Sequence, residues 1–269
     1  MRFTITTWNI NSVRLRIDSV LRFLAAAKPD VLCLQETKCP DDAFPLKALR
    51  GSGYENVEFA GQKGYNGVAI LSRFPLITRN VMPFCERQDA RHISAVLGPE
   101  AGNAAGIALH DFYVPAGGDI PDRTLNPKFA HKLDFLQELR IWGGRRPPGP
   151  TILVGDLNVA PLEHDVWSHK QLLDVVSHTP IETETLETLR GEAEWIDTAR
   201  FLTPEPQKIY TWWSYRSPDW QAANKGRRLD HVWVSPDLKD TVRKVEVFRD
   251  ARGWERPSDH VPVTLKLEL

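Results

Sequence analysis

"TILVGDLNVAP" (residues 151–161) begins as a buried strand and ends as something else. Thr151 to Val154 form an unbroken β-branched and apolar run, the pattern of a strand covered on both faces. Gly155 follows, and then Asp156 and Asn158, which share a face if the strand continues, because successive side chains alternate. A carboxylate beside an amide can hold a water, the first taking its proton and the second fixing its position. The same "GDLN" also reads as a turn capped by Asp156. The opposite polarity appears in "RRLDHVWVS" (227–235) and "SDHVPV" (258–263), where Asp230, Asp259 and His260 precede their strands. Asn9, Asn11, Glu36 and Tyr113 lie at or past the carboxyl ends of theirs. If all of these meet at one place, neighbouring strands run against one another. That excludes the all-parallel sheet, whose sites use only carboxyl ends, and predicts mixed or antiparallel sheets packed as a sandwich.

The rest of the chain fits that expectation. Strand-like segments recur at 2–9, 30–36, 66–72, 92–97, 106–114, 151–159, 227–235 and 260–269. Helical spacing appears at Ile17, Val20, Leu21, Leu24 and Ala25 before Pro29, and at Phe129, Leu133, Leu136 and Leu139 before Gly143. The breaker-rich "GGRRPPGP" (143–150) and "FLTPEPQ" (201–207) read as surface loops inside one domain spanning 1–269. No run approaches the roughly 18 apolar residues of a membrane span, and the N-terminus turns polar by Asn9. A cytoplasmic protein without a membrane partner is expected. Cys33, Cys39 and Cys85 are odd in number and lack CxxC spacing, which suggests neither disulfides nor a zinc site. A net charge of -1 leaves any polyanionic partner to be decided by local clustering.

Several polar residues invite a chemical reading beside a structural one. Glu36 ends the run "VLCLQ", where it requires neutralisation by a cation or by nearby Lys38. With Asn11 and Asp259 it offers the hard oxygen ligands that Mg²⁺ prefers. His260, next to Asp259, can meet a phosphoryl oxygen or serve as an ordinary structural histidine. Tyr113 stands before Pro115, Gly117 and Gly118, at a sheet rim or at a site.

"TWNINSVRLR", "LQETK", "GYNGVAILS", "YVPAGG", "GDLNVAP", "TWWSYR", "RRLDHVWVS" and "SDHVPV" occur in an order and spacing that resembles the exonuclease III family of apurinic/apyrimidinic endonucleases, from residue 3 to about 266. The resemblance implies the fold of the endonuclease/exonuclease/phosphatase superfamily: a four-layer αββα sandwich of two mixed, mostly antiparallel sheets, like deoxyribonuclease I. It implies Mg²⁺-dependent hydrolysis of the phosphodiester 5′ to an abasic site in duplex DNA, with Mn²⁺ able to substitute, together with 3′ exonuclease and 3′ phosphodiesterase activity by a monomer. By motif, Glu36 and Asn11 correspond to metal ligands, with Asp259 near them, and Asp156 to the residue that activates or aligns water. Asn158 and Asn9 would support water and phosphate, Tyr113 would touch phosphate or leaving oxygen, and His260, Asp259 and Asp230 would stabilise the charged transition state. Trp212 and Leu229 correspond to walls of a small apolar pocket for an extrahelical sugar, with Trp213 expected to be a core or rim aromatic. Arg14, Arg16, Lys38, Lys128, Lys132, Lys225, Arg227 and Arg228 could track flanking phosphates. Where the family carries Gln or Asn after Tyr-x-Pro, this chain has Ala116, a loss that Lys128 or Lys132 could offset. A small-molecule or lipid phosphoesterase of the same superfamily would share Glu36, Asp156 and His260 but have no use for Trp212 or the basic flank. A catalytically silent DNA-binding module would have lost its carboxylates.

Overall fold

The computed structural model describes residues 1–269. Its strands are β1 (Arg2–Asn9), β2 (Val31–Gln35), β3 (Asn56–Ala60), β4 (Val68–Ser72), β5 (Leu76–Asn80), β6 (His92–Leu97), β7 (Ala108–Tyr113), β8 (Thr151–Asp156), β9 (Ile196–Asp197), β10 (Trp212–Trp213), β11 (Gly226–Arg227), β12 (Asp230–Val234), β13 (Val242–Val247) and β14 (Val263–Glu268). Two six-stranded sheets run β13-β14-β1-β2-β4-β3 and β5-β6-β7-β8-β12-β9, while β10 and β11 form a separate ribbon. Each sheet has one parallel pair at its centre, β1 with β2 and β7 with β8, flanked by antiparallel neighbours. A parallel pair needs a crossover. Ile17–Ala27 supplies the helix for the first and Pro127–Arg145 for the second.

Three apolar clusters separate four layers. Ile5, Val31, Cys33 and Ile70 of the first sheet meet Ile93, Leu109, Ile152 and Val154 of the second. Because side chains alternate, Trp8, Leu32, Leu34 and Leu71 face outward, onto Val20, Phe23 and Leu24 of the first helix. On the far side Phe112, Leu153 and Trp233 pack beneath Phe135, Leu136 and Leu139, with Leu186 and Leu189 from the helix Pro180–Glu192. The αββα sandwich of mixed, mostly antiparallel sheets is therefore as expected.

The strand ends differ from the expected ones in a way that matters for chemistry. β2 stops at Gln35 and β8 at Asp156, and β14 begins only at Val263. Glu36, Asn158 and His260 thus sit just outside the ladders, Glu36 and Asn158 with left-handed backbones (φ 51° and 54°) and His260 in a single bridge to Trp212. β3, β5, β13 and the helix Pro180–Glu192 were not evident from the pattern. β5 is largely exposed and β13 about half so, and both are sheet edges, where the inward-outward alternation fades. The helix "PIETETLETLRGE" shows only a sparse apolar stripe.

Candidate active site

Strand register assembles the site's floor. Tyr113, Asp156 and Asp230 are Cα partners across β7, β8 and β12, so they stand side by side at one edge of the second sheet. Gly155 is what permits that closeness: a Cβ there would lie 1.9 Å from the Phe112 carbonyl oxygen, at a φ of 144°. Asn9 reaches across from the first sheet. Its amide donates to Glu36 Oε1 at 2.9 Å and to Asp156 Oδ2 at 2.8 Å. Asn9 is fully buried: it lies beneath the two carboxylates and bridges them rather than standing at the cavity surface.

Asp156 and Asn158 do project together, though not by strand alternation. The left-handed backbone at Asn158 folds its N–H onto Asp156 Oδ1 at 2.9 Å, and its side chain donates to Asp156 Oδ2 at 3.1 Å and to the Val114 carbonyl at 2.9 Å. The turn reading and the chemical reading describe the same object. Burial pushes Asp156 up to about 7, with Asp230 and Glu36 adding to the shift against the charge of His260. A carboxylate poised near neutrality is suited to general-base work.

His260 bonds Asp230 Oδ2 through Nδ1 at 2.8 Å and sets Nε2 3.6 Å from Asp156. Burial opposes its charged form, but Asp230 and Asp156 outweigh burial and raise its pKa to about 10. It is a cation at neutral pH. Thr211 locks the carboxylate partner by donating to Asp230 Oδ2 at 2.6 Å, and Ser258 accepts the His260 N–H at 3.2 Å. Neither was singled out from sequence, although both lie inside the quoted motifs. Burial, then the charges of Glu36 and Asp156, keep the Tyr113 hydroxyl well above its ordinary range, so it remains a neutral donor. The Arg91 guanidinium covers its ring at 4.8 Å.

Asp156, Asp230 and His260 could in composition bind a metal, with ligand atoms within 4.8 Å of one another. Both imidazole nitrogens face carboxylates and the ring is charged, so His260 has no free lone pair to offer a metal. The better cation site is beside it. Lys38 Nζ lies 2.7 Å from Glu36 Oε2 and 2.6 Å from Asn11 Oδ1, so two hard oxygens already converge on a positive charge. Glu36 and Asn11 therefore fit a divalent ion, and the expected Glu36–Lys38 salt bridge exists as well. Asp259, the third expected ligand, stands against Asn11 and lines the same cavity as Glu36: its oxygens accept from Asn11 Nδ2 at 3.1 Å and from Trp212 Nε1 at 2.9 Å, which orients Asn11.

Above this floor opens a cavity of about 770 Å³. Glu36, Asn158, Asp259 and His260 line its base, and Trp167, Val175, Val176, Trp212 and Leu229 its wall. Trp213 is in the core, as expected. Trp212 and Leu229 share this wall with charged groups: Arg227 lies over the Trp212 ring at 5.2 Å, and Arg216 and Lys225 also line the cavity. Lys128 is exposed beside Gly118 at the cavity mouth. Lys132 and Arg228 are fully buried in ion pairs and Arg16 is buried against Tyr215 and the Arg256 carbonyl, so these three track no phosphate.

Comparison with known proteins agrees with the geometry. Residues 6–260 match the Endonuclease/Exonuclease/phosphatase family. The exodeoxyribonuclease III of Haemophilus influenzae is 31% identical over 96% of this chain and 97% of its own length. An AP endonuclease structure from Archaeoglobus fulgidus superposes with a TM-score of 0.91 at 30% identity, covering 99% of this chain and 100% of that one. The 3′ phosphatase NExo from Neisseria, solved with a product DNA hairpin, gives 0.89 at 31% identity, covering 99% and 100%. With the strand-end carboxylates, the crossing Asn9 and the charged His260 in place, the chain belongs to the endonuclease/exonuclease/phosphatase family and, within it, to the exonuclease III-type nucleases.

Proposed function

We propose that this protein is a DNA repair nuclease that hydrolyses the phosphodiester 5′ to an abasic site in duplex DNA and trims 3′ ends, using Mg²⁺ at Glu36 and Asn11. The observation that carries this reading is Asp156: a buried carboxylate near neutral pKa, bonded to Asn9 and Asn158 and facing a protonated His260 that lines a cavity walled by Trp167, Trp212 and Arg227.

In this reading Asp156 takes a proton from water as the water oxygen bonds to phosphorus, and the bond from phosphorus to the 3′ oxygen breaks with its electron pair, the departing alkoxide taking a proton from solvent to become the 3′ hydroxyl. Asn158 orients that water through the amide oxygen left over once its hydrogens are spent on Val114 and Asp156. His260 meets the charge growing on a non-bridging oxygen, and Asp230 with Thr211 keeps the ring turned toward it. When bound, a divalent cation at Glu36 and Asn11 supplies Lewis-acid neutralisation of phosphate oxygen charge. Tyr113 packs beside Glu36. Trp212, Leu229 and Arg227 receive the displaced sugar, and Lys128 stands where flanking phosphate would pass. Both sheets furnish essential groups, so residues 1–269 act as one catalytic unit, working as a monomer.

A labelled duplex with a central abasic analogue tests this directly. Incision immediately 5′ to the lesion in Mg²⁺ or Mn²⁺, lost in chelator, is expected when products are sized to a nucleotide. Full activity in chelator rejects the cation. Cleavage of a small phosphodiester at a matching rate returns the small-substrate alternative.

A further inference from the structure

We propose that the buried ion pair Lys132–Glu182 is a positioning device that holds the catalytic loop and the cavity wall in one frame. Both side chains are 0% exposed. Lys132 Nζ pairs with Glu182 Oε1, donates to the Asn158 carbonyl at 2.7 Å and approaches the Ala116 carbonyl at 3.4 Å. Glu182 accepts from the backbone of Ser177 at 2.9 Å, and from Thr179 through N at 3.2 Å and Oγ1 at 2.6 Å. Ser177 Oγ and the Val176 carbonyl then accept from Arg227 Nη1 at 2.7 and 3.0 Å. An unbroken chain of contacts thus runs from Arg227 on the wall to Asn158 beside Asp156.

Two features say that this pair does more than join helices. Lys132 shares a helix face with Leu136 and Leu139, and Glu182 shares one with Leu186 and Leu189, by i, i+4, i+7 spacing. Those leucines already form the seam. A further apolar pair would serve adhesion as well as buried charges, whose desolvation is costly, so what the charges add is hydrogen bonding to loops. The loops they bond are the ones that need restraint. Gly117, Asn158 and Ser177 all have left-handed backbones (φ 88°, 54° and 86°), and two of the three are not glycine. Such conformations persist where their surroundings over-determine them. Gly117 is itself moulded to the pair: a Cβ there would meet Lys132 Cδ at 2.8 Å and Val176 Cγ1 at 2.9 Å.

The inference rests on the nuclease reading through Asn158, and wild-type incision of the abasic duplex is measured first. Its absence overturns that reading, whereas every result below is scored only against active wild type. Lys132→Met combined with Glu182→Leu removes both charges, and kinetics are taken well below each melting temperature. For a positioning pair kcat on the duplex should fall on the order of 30-fold with little change in KM, because displacement by about an ångström near the chemistry costs up to two decades. The preference for duplex over bis(4-nitrophenyl) phosphate should shrink as the wall loosens. In an Asn158→Ala background the same double exchange should change kcat by less than about 3-fold, because coupled residues are non-additive. A lowered melting temperature with wild-type kcat and preference overturns the proposal, and so does the full 30-fold loss in the Asn158→Ala background. If the double variant does not fold, Glu182→Gln keeps size and an acceptor, and unchanged kcat in that protein overturns the proposal equally.

Discussion

Two buried charge clusters begin two residues apart, at Arg228 and Asp230, and they are built to different standards. Arg228 donates through Nε and Nη2 to the two oxygens of Asp165 at 2.7 Å, and through Nη1 to Asp197 at 2.7 Å, while Arg200 adds a second cation on Asp165. Burial opposes ionisation of Asp165, but Arg228 and Arg200 hold it below its ordinary range. Every strong donor and acceptor is spent. In the other cluster Asp230 Oδ1 is buried without a partner, and His260 Nε2 stands 3.6 Å short of Asp156, whose pKa burial lifts to about 7. A saturated network holds shape, and one with valence in reserve can accept a substrate or move a proton.

Exchange of single carboxylates is the strongest way to break that contrast. Asp156→Asn should reduce kcat by about 10²–10⁴-fold, the usual range for a lost general base, with a near-native melting temperature. Asp165→Asn should do the reverse, destabilising by about 3–5 kcal/mol because Arg228 loses its main partner in a buried place, with kcat per folded molecule preserved. Denaturant titration paired with kinetics on both variants decides; a stable, inactive Asp165→Asn protein would erase the distinction.

Acidity separates the clusters with smaller effects. The reaction needs Asp156 ionised and His260 charged, so kcat/KM should rise about tenfold per unit below pH 7, level off, and fall as pH approaches 10. Stability follows opposite signs. His260 has a raised folded pKa, so its contribution is whole below the unfolded value of 6.5 and lost as pH climbs through about 10. Asp165 has a depressed one, so its contribution is present above the unfolded value of 3.8 and lost as pH falls through the folded value. A rate profile flat across pH 6–8 would contradict the role given to Asp156. Trp212→Ala should cost about 1–3 kcal/mol, or roughly 5- to 160-fold, on abasic duplex but not on a small phosphodiester. Equal losses on both would move Trp212 from the wall to the framework.

The floor of the site was legible because register and motif coincide. Asp156 ends its strand and Asp230 begins the neighbouring one, and that polarity alone called for antiparallel partners before any pairing was known. The wall was not, because residue type does not announce burial. Lys128 and Lys132 lie four apart on one helix, yet the first is exposed and the second has no exposure at all. A trace of the difference was present, since Lys132 falls in line with Leu136 and Leu139, and Thr179 with Glu182 spells a capping box before the helix. Arg228 looked like any basic flank. Only the three-dimensional meeting with Asp165 and Asp197, 63 and 31 residues away, shows it to be interior.

The sandwich itself works as a vernier. Asn9 to Asp156 and His260 to Asp230, each 2.8 Å, are spans from the first sheet's chain to the second sheet's. A slip of one sheet over the other by an ångström would break both while leaving every ladder hydrogen bond intact. Side chains with no chemistry of their own, such as Ile5, Leu109, Val154 and Leu265 between the sheets, therefore set the alignment on which turnover depends. In this reading turnover depends on how that layer packs as well as on the carboxylates at its edge.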